Sequence, residues 1–249
     1  AYRAGCGLVT LASPASVFPI IASQLPEAIH LTYPDLRSDG ATTEAIRLIH
    51  ALELGNYDSV VIGCGLGRGR FPSSFVKEVI EFIGDGSNSI PVVVDADALN
   101  ALTDTGSWWE NLHGNFVLTP HPGEMGRLMH MSTDDVQRGR LDIASLLAKK
   151  IKQITVLKGA FTVVADSDGS TYVNPHATSV LATAGTGDVL AGLIGSLLSQ
   201  GLPQLLAVKL AVYVHGQAGE ELGDIVGKRG VIASDVANYL PRVINKLMA

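Results

Sequence analysis

Residues 182–201 read ATAGTGDVLAGLIGSLLSQG, with two glycines around a threonine, then an aspartate, then an apolar run. Val189, Leu190, Leu193, Ile194, Leu197 and Leu198 fall on one helical stripe, and the small residues Ala191, Gly192, Gly195 and Ser196 lie between them. The spacing predicts a buried helix entered through Gly185-Thr186-Gly187. A helix start offers free N–H groups and the positive end of the macrodipole, which suits a phosphate. Two readings of the polar residues stand. Asp188 or Thr186 is an N-cap, a role both residue types favour. Alternatively, the glycines admit a ligand to the backbone and Asp188 is a base towards a hydroxyl being phosphorylated. The flanking glycines favour the second.

Four further stretches carry polar or glycine-rich chemistry. In KGAFT (158–162), Lys158 ends a strand as a phosphate contact or a solvated strand-end cation, and Gly159 lets amides approach a ligand. In TPHPGE (119–124), two prolines stiffen the backbone around His121, which favours a ligand contact over core filling. Glu124 then opens a helix and favours its N-terminus electrostatically. DADALNAL (95–102) places Asp95 and Asp97 at a strand end. Alternation puts both on one side while the strand stays extended, for a magnesium-bound water, although capping of the next helix is favoured for Asp97. GCGLGRGR (63–70) has the look of a loop for close ligand approach, but lacks the helix a dinucleotide fingerprint requires.

Stepping of β-rich runs and helical periods organises these pieces. Strands are expected near 7–13, 28–34, 59–65, 91–97, 115–120, 154–159, 162–166 and 170–174, the last two forming a hairpin through Asp168-Gly169. Helices are expected near 15–24, 42–54, 72–83, through Leu102, 123–130, 133–150, 187–200, 203–222 and 234–247. Unbroken apolar strands such as Val92-Val93-Val94 imply parallel strands covered on both faces, hence a doubly wound α/β domain over residues 1–249. Ligands bind such sheets at the carboxyl ends of the strands, where all four polar stretches fall.

Composition narrows the field. Hydrophobic residues make up 47% of the chain, but turn residues interrupt them before the roughly 18 needed for a membrane span. The net charge of −6 and the absence of basic runs exclude an electrostatic nucleic-acid footprint. Cys6 and Cys64 have no metal-ligand spacing and read as buried thiols in a reducing cytoplasm.

AGTGD, TPHPGE, KG and DADAL, in this arrangement, resemble the ADP/ATP-dependent NAD(P)H-hydrate dehydratases of the ribokinase-like superfamily. The similarity runs from about residue 4 to the end, and the AGTGDVLAG spelling resembles the bacterial, ADP-preferring branch. The resemblance implies a three-layer sandwich with a mostly parallel central sheet. It implies Mg2+, and ADP or ATP as phosphoryl donor to hydrated NADH or NADPH (NADHX, NADPHX), with phosphate elimination restoring the cofactor. Asp188 would be the base and also touch the substrate. Ala184, Gly185, Thr186 and Gly187 would hold the transferred phosphoryl group. Lys158, Gly159, Ala160, Phe161 and Thr162 would line the ADP site, and Gly67 and His121 would contact the hydrated cofactor. A homotetramer, and an epimerase acting on the same substrate, are also implied. The pattern departs in two places: the family's first strand and helix are not in this sequence, and Ala177-Thr178-Ser179-Val180 replaces the usual Gly-Asn-Pro-Gly. The rival readings are a small-molecule kinase of the same superfamily, which would keep phosphate on its product, and a non-catalytic nucleotide-binding module.

Overall fold

The computed structural model describes residues 1–84, 90–103 and 108–248. Its strands are β1 (Thr10–Pro14), β2 (Ile29–Tyr33), β3 (Val60–Ile62), β4 (Val92–Val94), β5 (Phe116–Leu118), β6 (Ile154–Leu157), β7 (Val163–Ala165) and β8 (Thr171–Val173). Its helices are α1 (Phe18–Gln24), α2 (Asp39–His50), α3 (Arg70–Gly84), α4 (Ala96–Thr103), α5 (Pro122–Met129), α6 (Thr133–Arg138), α7 (Arg140–Ile151), α8 (Thr186–Ser199), α9 (Gln204–Ile225) and α10 (Ala233–Met248).

A six-stranded sheet runs in sequence order from β3 to β8, and β1 and β2 form a separate parallel pair. Strands β3 to β6 are parallel; β7 is antiparallel to β6 and to β8. The sheet is the middle of three layers. Val92 and Val94 of β4 pack with α3 to α7 on one face, whereas Val93 packs with α8 to α10 on the other. All three valines are fully buried, which explains why the strand reads as an unbroken apolar run.

Two expectations change. The strand order never reverses, so the sheet has no switch point and is not doubly wound. The β–α crossovers stack on one face, and the C-terminal helices close the other. The helix expected over 133–150 is two, α6 and α7, broken at Gly139 (φ −117°, ψ 34°). The apolar period carries across this break because Val136 and Ile143 both face the same core, so periodicity alone does not reveal it. Among the described residues, no helix is long and apolar enough to cross a membrane.

Candidate active site

Parallel strands β3 to β6 bring four loops to one edge of the sheet, and α8 begins across them. After β3 comes Gly63-Cys64-Gly65-Leu66-Gly67, in which all three glycines have positive φ (128°, 70° and 80°). At Gly63 no other residue fits. A Cβ there would lie 1.7 Å from the Asp95 carbonyl oxygen, and L residues rarely adopt its backbone angles. Backbone bonds from Asp95 to Ile62 (3.0 Å) and from Asp97 to Gly63 (3.3 Å) lock the two loops together.

The strand ends at Val94, and Ala96 turns into the left-handed region (φ 51°), a strained conformation for a residue with a Cβ. This turn separates the two aspartates that alternation was expected to align. Asp95 points inwards, 1% exposed, with Oδ1 2.5 Å from Lys158 Nζ. Asp97 points outwards, where Oδ2 accepts the Gly67 N–H (2.9 Å) and Oδ1 faces Arg68 Nε at 3.7 Å. Asp97 thus holds the glycine loop, which corrects its reading as a helix cap.

Lys158 is no solvated cation. Its side chain is 16% exposed, its N–H donates to the Pro120 carbonyl (2.9 Å), and its ammonium bridges Asp95 and, at 3.9 Å, Glu124. Its Nζ lies 3.4 Å from where a Cβ on Gly187 would be, so the charge hangs over the entrance of α8. Arg140 braces this loop from behind, donating to the carbonyls of Leu157 (3.0 Å) and Lys158 (3.4 Å).

His121 caps α5. Its Nδ1 accepts from the N–H groups of Gly123 (3.0 Å) and Glu124 (3.3 Å), while Glu124 Oε2 accepts the His121 N–H (2.8 Å), closing a capping box. An Nδ1 that accepts carries no proton, so the ring proton sits on Nε2, which is 3.3 Å from Glu124 Oε1. Burial, followed by the Lys158 and Arg127 charges, holds the His121 pKa below its ordinary value. Burial also pushes the Glu124 carboxyl up, against the pull of Lys158.

At the head of α8 the cap position is Gly185, in the left-handed region (φ 86°) and without a side-chain cap. Neither Thr186 nor Asp188 is the cap. The Thr186 hydroxyl turns back into the protein towards the carbonyls of Leu181 (2.7 Å) and Thr183 (2.8 Å). The Thr186 carbonyl is itself held by His215 Nε2 at 2.9 Å. The first-turn N–H groups of Gly187 and Asp188 bond no carbonyl among the described residues and remain open to an anion. Asp188 is exposed in the first turn, with a carboxylate oxygen within 4.8 Å of the Cys64 Sγ.

A cavity of about 410 Å³ runs along this edge. His121, Lys158, Gly159, Ala160, Thr162, Ala184, Gly185, Thr186 and Gly187 all line it. Phe161, Gly67 and Asp188 do not. Phe161 stands 52% exposed at φ 53°, its N–H bonded to the His176 carbonyl (3.1 Å). Gly67 is tied to Asp97, and Asp188 stands beside Cys64 and Asp95. In the stretch that departs from the family pattern, Thr178 lines the cavity and Val180 is buried.

Sequence reasoning missed Cys64, Arg140, His176 and His215. Cys64 lay inside a loop already singled out. The other three sit in helical or loop sequence with no motif around them, and proximity in space is their signal.

A three-layer α/β sandwich with a mostly parallel sheet, and open amides, a lysine and a carboxylate at the entrance of α8, defines a fold of the ribokinase-like class. The model of the NAD(P)H-hydrate dehydratase family matches residues 1–242, and the chain belongs to that family. It is 40% identical over 248 residues to the bifunctional NAD(P)H-hydrate repair enzyme Nnr of Moorella thermoacetica, covering 99% of this chain and 46% of that protein. It is 33% identical over 249 residues to the ADP-dependent (S)-NAD(P)H-hydrate dehydratase of Xanthomonas campestris, covering 99% and 81%. Among solved structures, the ADP/ATP-dependent NAD(P)H-hydrate dehydratase from Bacillus subtilis, co-crystallised with ATP/Mg2+, superimposes with a TM-score of 0.82 at 30% identity, over 99% of this chain and 81% of that one. The chain spans about half the length of the first curated relatives it matches.

Proposed function

We propose that the protein dehydrates NADHX and NADPHX to NADH and NADPH, consuming ADP or ATP. The observation that carries this reading is the α8 entrance, where open amides, the Lys158 ammonium and the Asp188 carboxylate converge. Amides fixed in a folded loop need no reorganisation to meet a phosphoryl group gaining charge, and such preorganisation is usually the largest catalytic contribution. Ala184 to Gly187 hold the transferred group, and Lys158 to Thr162 hold the rest of the nucleotide, Lys158 with its charge and Phe161 with its exposed ring. Asp188 takes the proton from the ring hydroxyl as that oxygen attacks phosphorus. Phosphate is then a good leaving group, and its departure together with a proton from the adjacent ring carbon restores the dihydronicotinamide. Gly67, held by Asp97, and His121, held by its capping box, contact the hydrated cofactor.

Mg2+ fits the residues present. Asp95 Oδ2 is buried without a hydrogen-bond partner, and a second carboxylate, Asp188, stands beside it. When bound, Mg2+ neutralises donor phosphate charge. The same reading makes the protein a cytoplasmic homo-oligomer, a tetramer, that works alongside an epimerase on the same substrate.

The test mixes the protein with NADHX, Mg2+ and either ADP or ATP and follows the return of NADH absorbance and the release of phosphate. Both signals should rise together, and Asp188→Asn should lower the rate about 10²–10⁴-fold. A phosphorylated product that accumulates without NADH would replace this reading with a kinase. Near-normal turnover by Asp188→Asn would remove the base assignment.

A further inference from the structure

Cys64 is the side chain at the centre of the site that the reaction above leaves unused. It is exposed, and its Sγ, one oxygen of Asp95 and one of Asp188 all lie within 4.8 Å of one another. Asp95 is 1% exposed, and its two oxygens differ: Oδ1 faces Lys158 at 2.5 Å, whereas Oδ2 is buried with no hydrogen-bond partner. A Cβ on Gly187 would lie 4.0 Å from Oδ2, so this oxygen points at the loop that carries Asp188. A buried carboxylate oxygen without a donor is costly, and a cation would satisfy it.

The chemistry of the set is mixed. Two carboxylates alone suit hard cations, but a thiolate selects soft ones. A cysteine thiol is ordinarily protonated at neutral pH, and two carboxylates beside Sγ do not favour its ionisation. A divalent cation inverts those electrostatics, because a coordinating thiol is deprotonated.

We propose that Cys64, Asp95 and Asp188 form a three-ligand site for a thiophilic divalent cation of the Zn2+ and Cd2+ class, in competition with Mg2+. On binding, the S–H bond of Cys64 breaks, its proton leaves to solvent, and Sγ bonds the metal without change of oxidation state. Zinc–sulfur bonds of about 2.3 Å and zinc–oxygen bonds of about 2.0–2.2 Å put tetrahedral ligand atoms roughly 3.5 Å apart. The separations in the metal-free protein, all within 4.8 Å, approach that spacing. Water takes the fourth position. Lys158 offsets one carboxylate, and the ionised thiol leaves the site net negative. The site exists whatever reaction the protein catalyses; if Asp188 is the base, the soft cation is also an inhibitor.

The test titrates the protein with Cd2+ in excess Mg2+ and records the ultraviolet charge-transfer band of the cadmium–thiolate bond. The band should saturate at about one Cd2+ per chain, with about one proton released. Cys6→Ser should keep it, since Cys6 is partly buried elsewhere, bonded to Ser196 Oγ at 3.2 Å. Cys64→Ser should abolish it, and Asp95→Asn or Asp188→Asn should weaken the apparent affinity at least tenfold. The proposal is overturned if wild type shows neither band nor proton release, if the band survives Cys64→Ser, or if both aspartate variants bind as wild type does. The readout is a metal–sulfur bond, not turnover, so its failure leaves the dehydratase reading untouched, and a failed dehydratase assay leaves the band.

Discussion

His215 offers a prediction whose size follows from its surroundings. It lies within α9, 7% exposed, and its Nε2 bonds the Thr186 carbonyl at 2.9 Å beneath the loop that enters α8. Burial pushes its pKa down from 6.5 to about 4, more strongly than the Thr186 carbonyl pulls it up. The folded state therefore refuses a proton that the unfolded chain accepts. This group's contribution to stability is complete above pH 6.5 and is lost as the pH falls from there towards 4. The full span is worth about 3 kcal/mol, at about 1.4 kcal/mol per pH unit between the two values. Urea denaturation of wild type and His215→Gln, at half-unit steps from pH 8 to 4.5, isolates the effect, because the other titrating groups cancel in the difference. Glutamine keeps a donor for Thr186 but cannot be charged. The wild-type advantage over His215→Gln should be nearly constant above pH 7 and shrink by about 1 kcal/mol between pH 6.5 and 5.5. Stability curves that stay parallel down to pH 5 would refute the account of a buried neutral imidazole.

Three further substitutions probe the loops that the site depends on. Lys158→Met removes the partner of a buried carboxylate, so urea denaturation should show a loss of about 3–5 kcal/mol, together with weaker binding of ADP by calorimetry. Gly63→Ala places a Cβ 1.7 Å from the Asp95 carbonyl oxygen at a φ of 128°, and should lower the yield of folded protein or displace Asp95, visible as a large drop in melting temperature. Asp97→Ala frees the Gly67 amide at a partly exposed position; stability should fall by less than about 1 kcal/mol, while KM for the hydrated cofactor rises severalfold and kcat holds.

What the sequence discloses and what it withholds divide along a physical line. The strands and helices were legible because burial on both sheet faces leaves apolar runs, and helical faces leave stripes, both local in sequence. The break at Gly139 hid because the same core faces both sides of it. The loops of the site were legible too, since glycines at positive φ and polar residues at strand ends are local signals, and nine of the twelve candidate residues gather around one cavity. The assignments within those loops were less so. Asp95 and Asp97 look equivalent two residues apart, yet the left-handed turn at Ala96 sends one to Lys158, 63 residues away, and the other to Gly67, 30 residues back. Thr186 looks like a helix cap until its hydroxyl is seen bonded to Leu181 and Thr183, and its carbonyl to His215. Each of these partners is chosen by the packing of two distant elements, and a sequence pattern records no such choice. The residue types in these loops therefore point to a class of chemistry, while the division of labour among them depends on the tertiary contacts that orient each charge.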